Sequence, residues 1–409
     1  MIRRTKIRGN GITFLYEQDQ SAGGVSAALF FKCGVNYEKE KEFGVSRFAQ
    51  ELLFRRLPAS AGGCLAVFRR MGRDHAAFLC EAAPGNALRV LQALAGLTDR
   101  SPFSPEETEA VRADLLRECA ARLPNCQEEE GLYFALPSYT VPVGGTERAL
   151  RSLTGEQLEK WRGLYGSRSN ACFVLTGAFG NDELKEAEAF LRELPPQPRK
   201  SLNTRPLLPE SRFFRTSADD VYLPCYEEAG RISLLVECDL GETQPVWAAL
   251  LRDVLAAPGE TERPYAVHSS LRYYGGFALL RLTVEAPHGD LPAAVEGLAD
   301  AVADLKENLT EEQVAPLLPR YAENRLYPHP QGAGRAYELG LHNFILYTDD
   351  ISLPDGCDTD EVMERLLEAA DNVLLPDNAL FVIHYNEKRG ASLPAIKNSA
   401  AEARIRLFV

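Results

Sequence analysis

The sequence predicts an α+β protein of two homologous halves, each an antiparallel sheet packed with helices. Three observations carry that expectation. Strand-like and helical segments follow one another in the same order through both halves of the 409 residues. A Pro-rich stretch falls almost at the midpoint, and a short strand motif at Asn170 recurs at Asn378, 208 positions later.

In the first half, Ile12–Glu17 and Val25–Cys33 are rich in β-branched and aromatic residues and are separated by Gly23 and Gly24, which predicts two strands. Over Phe43–Arg56 the apolar residues move to helical spacing at Val45, Phe48, Ala49, Leu52 and Leu53. Ala76–Ala83 reads as a third strand, followed by helices over Asn86–Leu97 and Ser104–Leu123. The second of these opens Ser-Pro-Glu-Glu: a cap residue, a proline at the first helical position, and acids in the first turn. Thr154–Tyr165 is entered through a T-x-x-Q box; Asn170–Thr176 is an apolar strand and Asp182–Leu194 a helix. Pro195–Glu210 then holds five prolines and few hydrophobic residues, a linker composition. Residues 1–195 are therefore expected to form one domain, 196–212 a linker and 213–409 a second domain.

The second half repeats the order. Val221–Leu223 and Ile232–Cys238 are strand-like, Pro245–Ala256 is helical, and a helix ending near Arg272 leads into a strand at Phe277–Glu285. Helices are expected over Leu291–Asn308, Thr310–Arg325, Ala333–Tyr347 and Asp358–Asn372, and Asn378–Tyr385 closes the series as a strand. The echo is direct: Asn170-Ala171-Cys172-Phe173-Val174 returns as Asn378-Ala379-Leu380-Phe381-Val382, each time after an acidic amphipathic helix. A repeat of about half the chain points to duplication.

Composition is ordinary for a globular protein, with 45% hydrophobic and 25% charged residues. Forty-five Lys and Arg against 58 Asp and Glu leave a net charge of −13. That balance works against phosphate neutralisation and against anionic lipid, so neither nucleic acid nor membrane is expected as a partner. No run reaches the ~18 apolar residues of a membrane helix, and the N-terminus has no apolar core of a signal peptide. The nine cysteines form no C-x-x-C pair, and Cys33, Cys80, Cys172 and Cys238 lie in apolar runs, which suits a reducing compartment. A cytoplasmic protein is the expectation. The six histidines are scattered without an i,i+4 pair, and no phosphate loop or G-x-S-x-G elbow is present.

The segment Gly34–Phe54, GVNYEKEKEFGVSRFAQELLF, resembles the signature region of the M16 metallopeptidases (insulinase, pitrilysin and mitochondrial processing peptidase). Tyr37, Glu38, Gly44, Phe48, Leu53 and Phe54 fall in register with that family, and Gly145–Phe179 resembles the stretch that closes its first half. The resemblance implies the LuxS/MPP-like metallohydrolase fold in paired halves of about 200 residues. It also implies where a zinc site would lie. In the family motif H-x-x-E-H, two histidines four apart bind the metal, a distal Glu completes the site, and the central Glu is base toward a bound water. Here those positions hold Arg47, Gln50 and Glu51, with Glu118 at the distal ligand position. A guanidinium has no lone pair to donate and Gln50 cannot take a proton. The resemblance therefore implies an inactive homologue with a vestigial site, no catalytic residue intact and the family's zinc lost.

Arg47 and Glu51 are four apart and can pair, and the family comparison brings Glu118 within reach of both. Replacing Arg47 with Ala is then expected to destabilise by roughly 1–3 kcal/mol, because Glu51 and Glu118 are left as neighbouring buried carboxylates without a counter-charge; the alternative is that Arg47 points to solvent and pairs with nothing. Two departures from the family pattern concern substrate. Arg69–Ala83 is shorter than its counterpart and lacks an N-A-x-T loop, which puts strand addition of a peptide in doubt there. Arg272 matches a substrate-holding Arg of the second half, but the Tyr seven residues on is Leu279. Arg272 read without the family simply ends a helix.

The function these features imply is a zinc-less subunit of a heterodimeric peptidase that helps enclose and bind peptide, its partner an M16 subunit with an intact H-x-x-E-H motif. A self-associating peptide-binding or scaffold protein is the alternative. A metallopeptidase using unorthodox ligands such as Glu51 and Glu118 is the least favoured.

Overall fold

The structure is a computed structural model that describes residues 3–7, 11–57, 64–99, 101–121, 129–134, 137–197, 220–241, 243–256, 265–274, 277–322, 332–346, 353–354, 356–375 and 379–408. The chain divides into two compact units. The first comprises residues 1–131, 136–208 and 329–347; the second comprises 132–135, 209–328 and 348–409. Most of the predicted linker lies outside the described residues.

The first unit is built on a six-stranded sheet of β1 (Arg3–Lys6), β2 (Thr13–Gln18), β3 (Val25–Lys32), β4 (Cys64–Met71), β5 (His75–Ala82) and β6 (Ala171–Gly177). Their order is β1-β2-β6-β3-β5-β4. Helices α1 (Val45–Arg55), α2 (Ala87–Gly96), α3 (Pro105–Ala120), α4 (Gly155–Leu164) and α5 (Asn181–Glu193) accompany it. One core joins alternate strand residues such as Leu29, Phe31, Phe78 and Phe173 to Phe48 and Leu52 of α1, Val90 and Leu94 of α2, and Leu191 of α5. The predicted caps form: Ser104 Oγ accepts from Glu107 N at 3.1 Å while Glu107 accepts from Ser104 N at 2.8 Å, and Thr154 and Gln157 make the same reciprocal pair.

The other face of the sheet, with Leu15, Ala28, Phe30, Ala77, Leu79, Cys172 and Val174, is covered by α6 (Ala333–Gly340) and the π-helical turn Leu341–Leu346 that continues it. Sequence order places these residues in the second half, whereas the fold gives them to the first unit. Their apolar stripe of Ala333, Ala336 and Leu339 meets that sheet face, and Gly340 lies so close to the Phe30 ring that a Cβ would overlap it. Arg335 clamps Glu17 through Nε and Nη2 at 2.9 and 2.7 Å, and Glu81 accepts from Ala333 N at 2.5 Å.

The second unit carries a five-stranded sheet of β7 (Val221–Pro224), β8 (Gly230–Asp239), β9 (His268–Tyr274), β10 (Phe277–Ala286) and β11 (Ala379–Tyr385), ordered β7-β11-β8-β10-β9. Its principal helices are α7 (Pro245–Ala256), α8 (Leu291–Asn308), α9 (Thr359–Val373) and α10 (Leu393–Phe408). Phe134, from the short excursion 132–135, packs its ring 5.3 Å from Tyr274 and 5.8 Å from Phe277.

Leaving β1 aside, the two sheets have the same topology: β2-β6-β3-β5-β4 in one corresponds to β7-β11-β8-β10-β9 in the other. The two echoed motifs are β6 and β11, and each occupies the same place, parallel to the unit's first common strand and antiparallel to its second. The sheets are thus mixed rather than wholly antiparallel, because each closing strand returns through a long helical crossover. Other expectations change as well. β4 is a strand that the sequence reading omits, α10 continues the chain past β11, and Thr310–Arg325 gives two short helices, Glu311–Val314 and Leu318–Ala322. Arg272 lies in strand β9 and ends no helix.

Candidate functional site

The signature segment first serves to place α1. Gly44 precedes the helix at φ 104°, a left-handed value that suits glycine. The Glu38 carboxylate accepts from Gly44 N at 2.6 Å and Ser46 N at 2.8 Å, closing the helix start. Ser46 Oγ accepts from Gly34 N at 3.0 Å and from the Trp161 indole at 2.8 Å. Several residues shared with the M16 signature therefore fix the orientation of α1.

Burial pushes the Glu38 carboxyl up to about 7, above its ordinary value, although the two N–H donors pull the other way. An acid whose folded value lies above its unfolded value binds more protons in the native state. Its contribution is therefore largest at low pH and is lost as pH rises through about 7. The melting temperature should fall between pH 5 and 8 by more in the native protein than in Glu38→Gln. Parallel melting curves across that range would contradict this.

From the outward side of α1, Arg47 donates from Nη1 to Glu51 at 2.8 Å and from Nη2 to Glu118 of α3 at 3.1 Å. Glu51 also meets Arg69 Nη2 of β4 at 2.7 Å and Arg55 Nε at 3.4 Å. Arg55 reaches on to Asp114, one helical turn from Glu118, and Asp114 also holds Arg117. The Arg55 hydrogen bond draws the Asp114 carboxyl below its ordinary value, while burial lowers the proton affinity of the Arg69 guanidinium against the pull of Glu51. Arg69 stacks over the Phe54 ring at 4.5 Å. One buried carboxylate thus receives three guanidiniums from α1 and β4, and two more carboxylates on α3 complete a ladder between the helices.

Gln50 is 1% exposed. Its Nε2 donates to Arg70 O of β4 at 2.7 Å and to Ala77 O of β5 at 3.4 Å. The neutral amide is a tie between α1 and two strand carbonyls, a role that an ionised carboxylate cannot play.

Arg47, Gln50, Glu51 and Glu118 do come together, but Glu118 is not at depth: its side chain is 49% exposed. This changes the expectation for Arg47→Ala. Glu51 keeps Arg55 and Arg69, and Glu118 is already half exposed to solvent. The loss should be about 1 kcal/mol or less. Glu51→Ala should cost more, on the order of 2–3 kcal/mol, because it strands converging guanidiniums. Thermal melting of both variants checks the order, and an Arg47→Ala loss exceeding that of Glu51→Ala would contradict the geometry.

A zinc ion does not fit this donor set. Of the residues that the M16 resemblance implies for such a site, Arg47 is a guanidinium, Glu51 is a carboxylate already engaged by three guanidiniums, and Gln50 donates to carbonyls. Among the described residues no group of three or more His, Cys, Asp or Glu could hold a metal ion.

In the second unit, Arg272 of β9 stands directly across from Leu279 of β10. The seven-residue spacing noted in the sequence is thus a cross-strand pair at the sheet's edge. Leu279 is buried and offers no hydroxyl there, while Arg272 is exposed.

The sequence matches no family model. Nor does it match any curated protein. Solved structures do match. A chain of complex III2 from Candida albicans (Inz-5 bound) aligns with TM-score 0.74 and 14% identity over 100% of both chains. A putative M16-like peptidase from Alicyclobacillus acidocaldarius aligns with TM-score 0.70 and 16% identity over 94% of this chain and 98% of that one. A peptidase M16 inactive domain from Pseudomonas fluorescens gives TM-score 0.70 and 13% identity, with the same coverage. The first half of the periplasmic protease PqqL from Escherichia coli gives TM-score 0.69 and 14% identity over 98% and 96%. Two α+β units of one topology, matched end to end by these structures, mean that this chain has the two-half fold of the M16-like peptidases.

Proposed function

We propose that this protein is the non-catalytic subunit of an M16-type peptidase, binding peptide beside a partner that carries an intact H-x-x-E-H motif. One observation carries the reading: where the resemblance would put the first zinc ligand stands Arg47, held between Glu51 and Glu118, and where it would put the base stands Gln50, tied to two strand carbonyls. A site that had merely lost its ligands would be left with unsatisfied groups. This one has been filled with paired charges, which supports a retained fold put to another use. That one structure of this fold is described as an inactive M16 domain is consistent with it. The buried free cysteines Cys33, Cys80, Cys172 and Cys238 favour a reducing, cytoplasmic setting.

The test mixes the protein with an M16 subunit of the same organism that has the intact motif. A heterodimer on size exclusion, with more peptidase activity than that subunit alone, is the expected outcome. Arg272→Ala should lower the gain and leave association intact, since Arg272 is exposed on an edge strand and would meet substrate. A cognate subunit fully active alone, with no complex at micromolar concentration, would transfer the reading to a self-associating scaffold.

A further inference from the structure

We propose that the free edge of β4 selects an extended peptide carrying one acidic and one apolar side chain two residues apart, read by Arg70 and Phe68. This rests on the peptide-binding reading above and adds a sequence preference to it.

β4 ends the sheet order, with β5 on one side and no strand among the described residues on the other, so the short segment after α1 does keep an edge for strand addition, contrary to the doubt raised by its missing N-A-x-T loop. The hairpin fixes which backbone groups face outward. Gly72 N donates to His75 O at 2.8 Å, so Gly72 and His75 are a hydrogen-bonded pair, and Arg70 with Ala77 is the next such pair along the ladder. The N–H and C=O groups of Arg70 therefore point toward β5. Those of the alternate residues Val67, Arg69 and Met71 point off the sheet, where an added strand would bond them.

Side chains alternate in the same way. Arg69 lies on the α1 face, committed to Glu51 and Phe54. Phe68 and Arg70 share the opposite face, and both are exposed, Phe68 at 45%. Phe68 belongs to the small set of large apolar side chains left in solvent among the described residues. Arg70 is held rather than loose. Its guanidinium lies 5.3 Å over the Tyr337 ring, the Tyr337 hydroxyl is 2.8 Å from His75 Nε2, and His75 Nδ1 is 2.7 Å from Asp74. Its carbonyl is fixed by Gln50. Arg47, Arg55 and Arg69 each meet a carboxylate, whereas none among the described residues pairs with Arg70.

A strand laid on this edge would set alternate side chains beside Phe68 and Arg70, within the distance at which cross-strand pairs interact. An acidic residue beside Arg70 gains a charge-assisted partner that a neutral one lacks. A second copy of this chain is a poor occupant, because pairing two such edges brings Arg69 and Arg70 against their own kind. Since the whole chain carries −13, long-range steering opposes any highly acidic ligand, and the preference is for a single acid in a neutral peptide.

Fluorescence anisotropy of the full chain would test this. The probe is a blocked, fluorescein-labelled nonapeptide of Thr and Gln with one Leu and one Glu two residues apart. Companions replace that Glu by Gln or Lys, or move it to three residues from the Leu, onto the opposite face. The Glu peptide should bind about 5-fold tighter than the Gln peptide and tighter still than the Lys peptide. Arg70→Ala should erase the Glu–Gln difference, Arg70→Lys should keep most of it, and Phe68→Ser should weaken both peptides together. Circular dichroism melting checks that the variants fold. Equal binding of the Glu and Lys peptides, or an Arg70→Ala protein that still discriminates, would overturn the preference and leave peptide binding standing. No binding of any peptide at about 100 µM would remove both readings, leaving the edge arginines as guards against strand association.

Discussion

Gln50→Glu should be the most damaging single substitution in the cluster around Arg47 and Glu51, lowering stability by about 3–4 kcal/mol at pH 8. The side chain is 1% exposed, and its amide donates to the carbonyls of Arg70 and Ala77. A carboxylate there would lose both bonds and face two acceptors, so burial would raise its pKa in the folded state. The sign follows from linkage: the variant is closest to wild type near pH 4, where the protonated acid can still donate, and its deficit grows as pH rises. Urea melts at pH 4.5 and pH 8 measure the difference. A deficit that does not change with pH would mean the amide tie contributes little.

The second large effect is expected from the triple variant Arg47→His, Gln50→Glu, Glu51→His. It removes the guanidinium, frees Glu118 from its ion pair, and should bind zinc near one per chain, with Glu118 as the third protein ligand. At zinc a hundredfold above Kd the variant should gain about 2.7 kcal/mol of stability, while wild type and Arg47→His alone gain none. Elemental analysis after dialysis, with melting in the presence of zinc, reads both. A folded triple variant that takes up no metal would mean that Glu118, now half in solvent, cannot turn in to the site.

Much of this was legible in the sequence because it is local. The caps at Ser104 and Thr154, the helical spacing of α1, and the duplicated strand motif are each written within a few residues. The ion pair of Arg47 and Glu51 followed from i,i+4 spacing. What escaped is non-local. β4 is not legible because Arg69 and Arg70 interrupt its apolar character; Arg69 is explained only by Glu51 across on α1, and Arg70 by its exposed place on an edge strand. Arg55 stands at the same i,i+4 spacing from Glu51 as Arg47 and is equally legible, whereas Arg69 arrives from β4 and the exposure of Glu118 depends on how α3 packs. The tie from Gln50 to Arg70 could not be anticipated without β4 in place.

The helix α6 that covers the second face of the first sheet has a consequence for the order in which the chain is made. A ribosome delivers β1 to α5 long before residues 332–346, so a nascent first unit holds Phe30, Leu79 and Val174 uncovered while the intervening strands and helices are still being added. Closing so long an excursion adds little to the equilibrium cost, which grows only with the logarithm of its length. It weighs on kinetics instead, because contacts of such high sequence separation form late. While about 150 further residues are added, this protein is a half-dressed sheet with a greasy side, exposed to other chains until its own helix arrives.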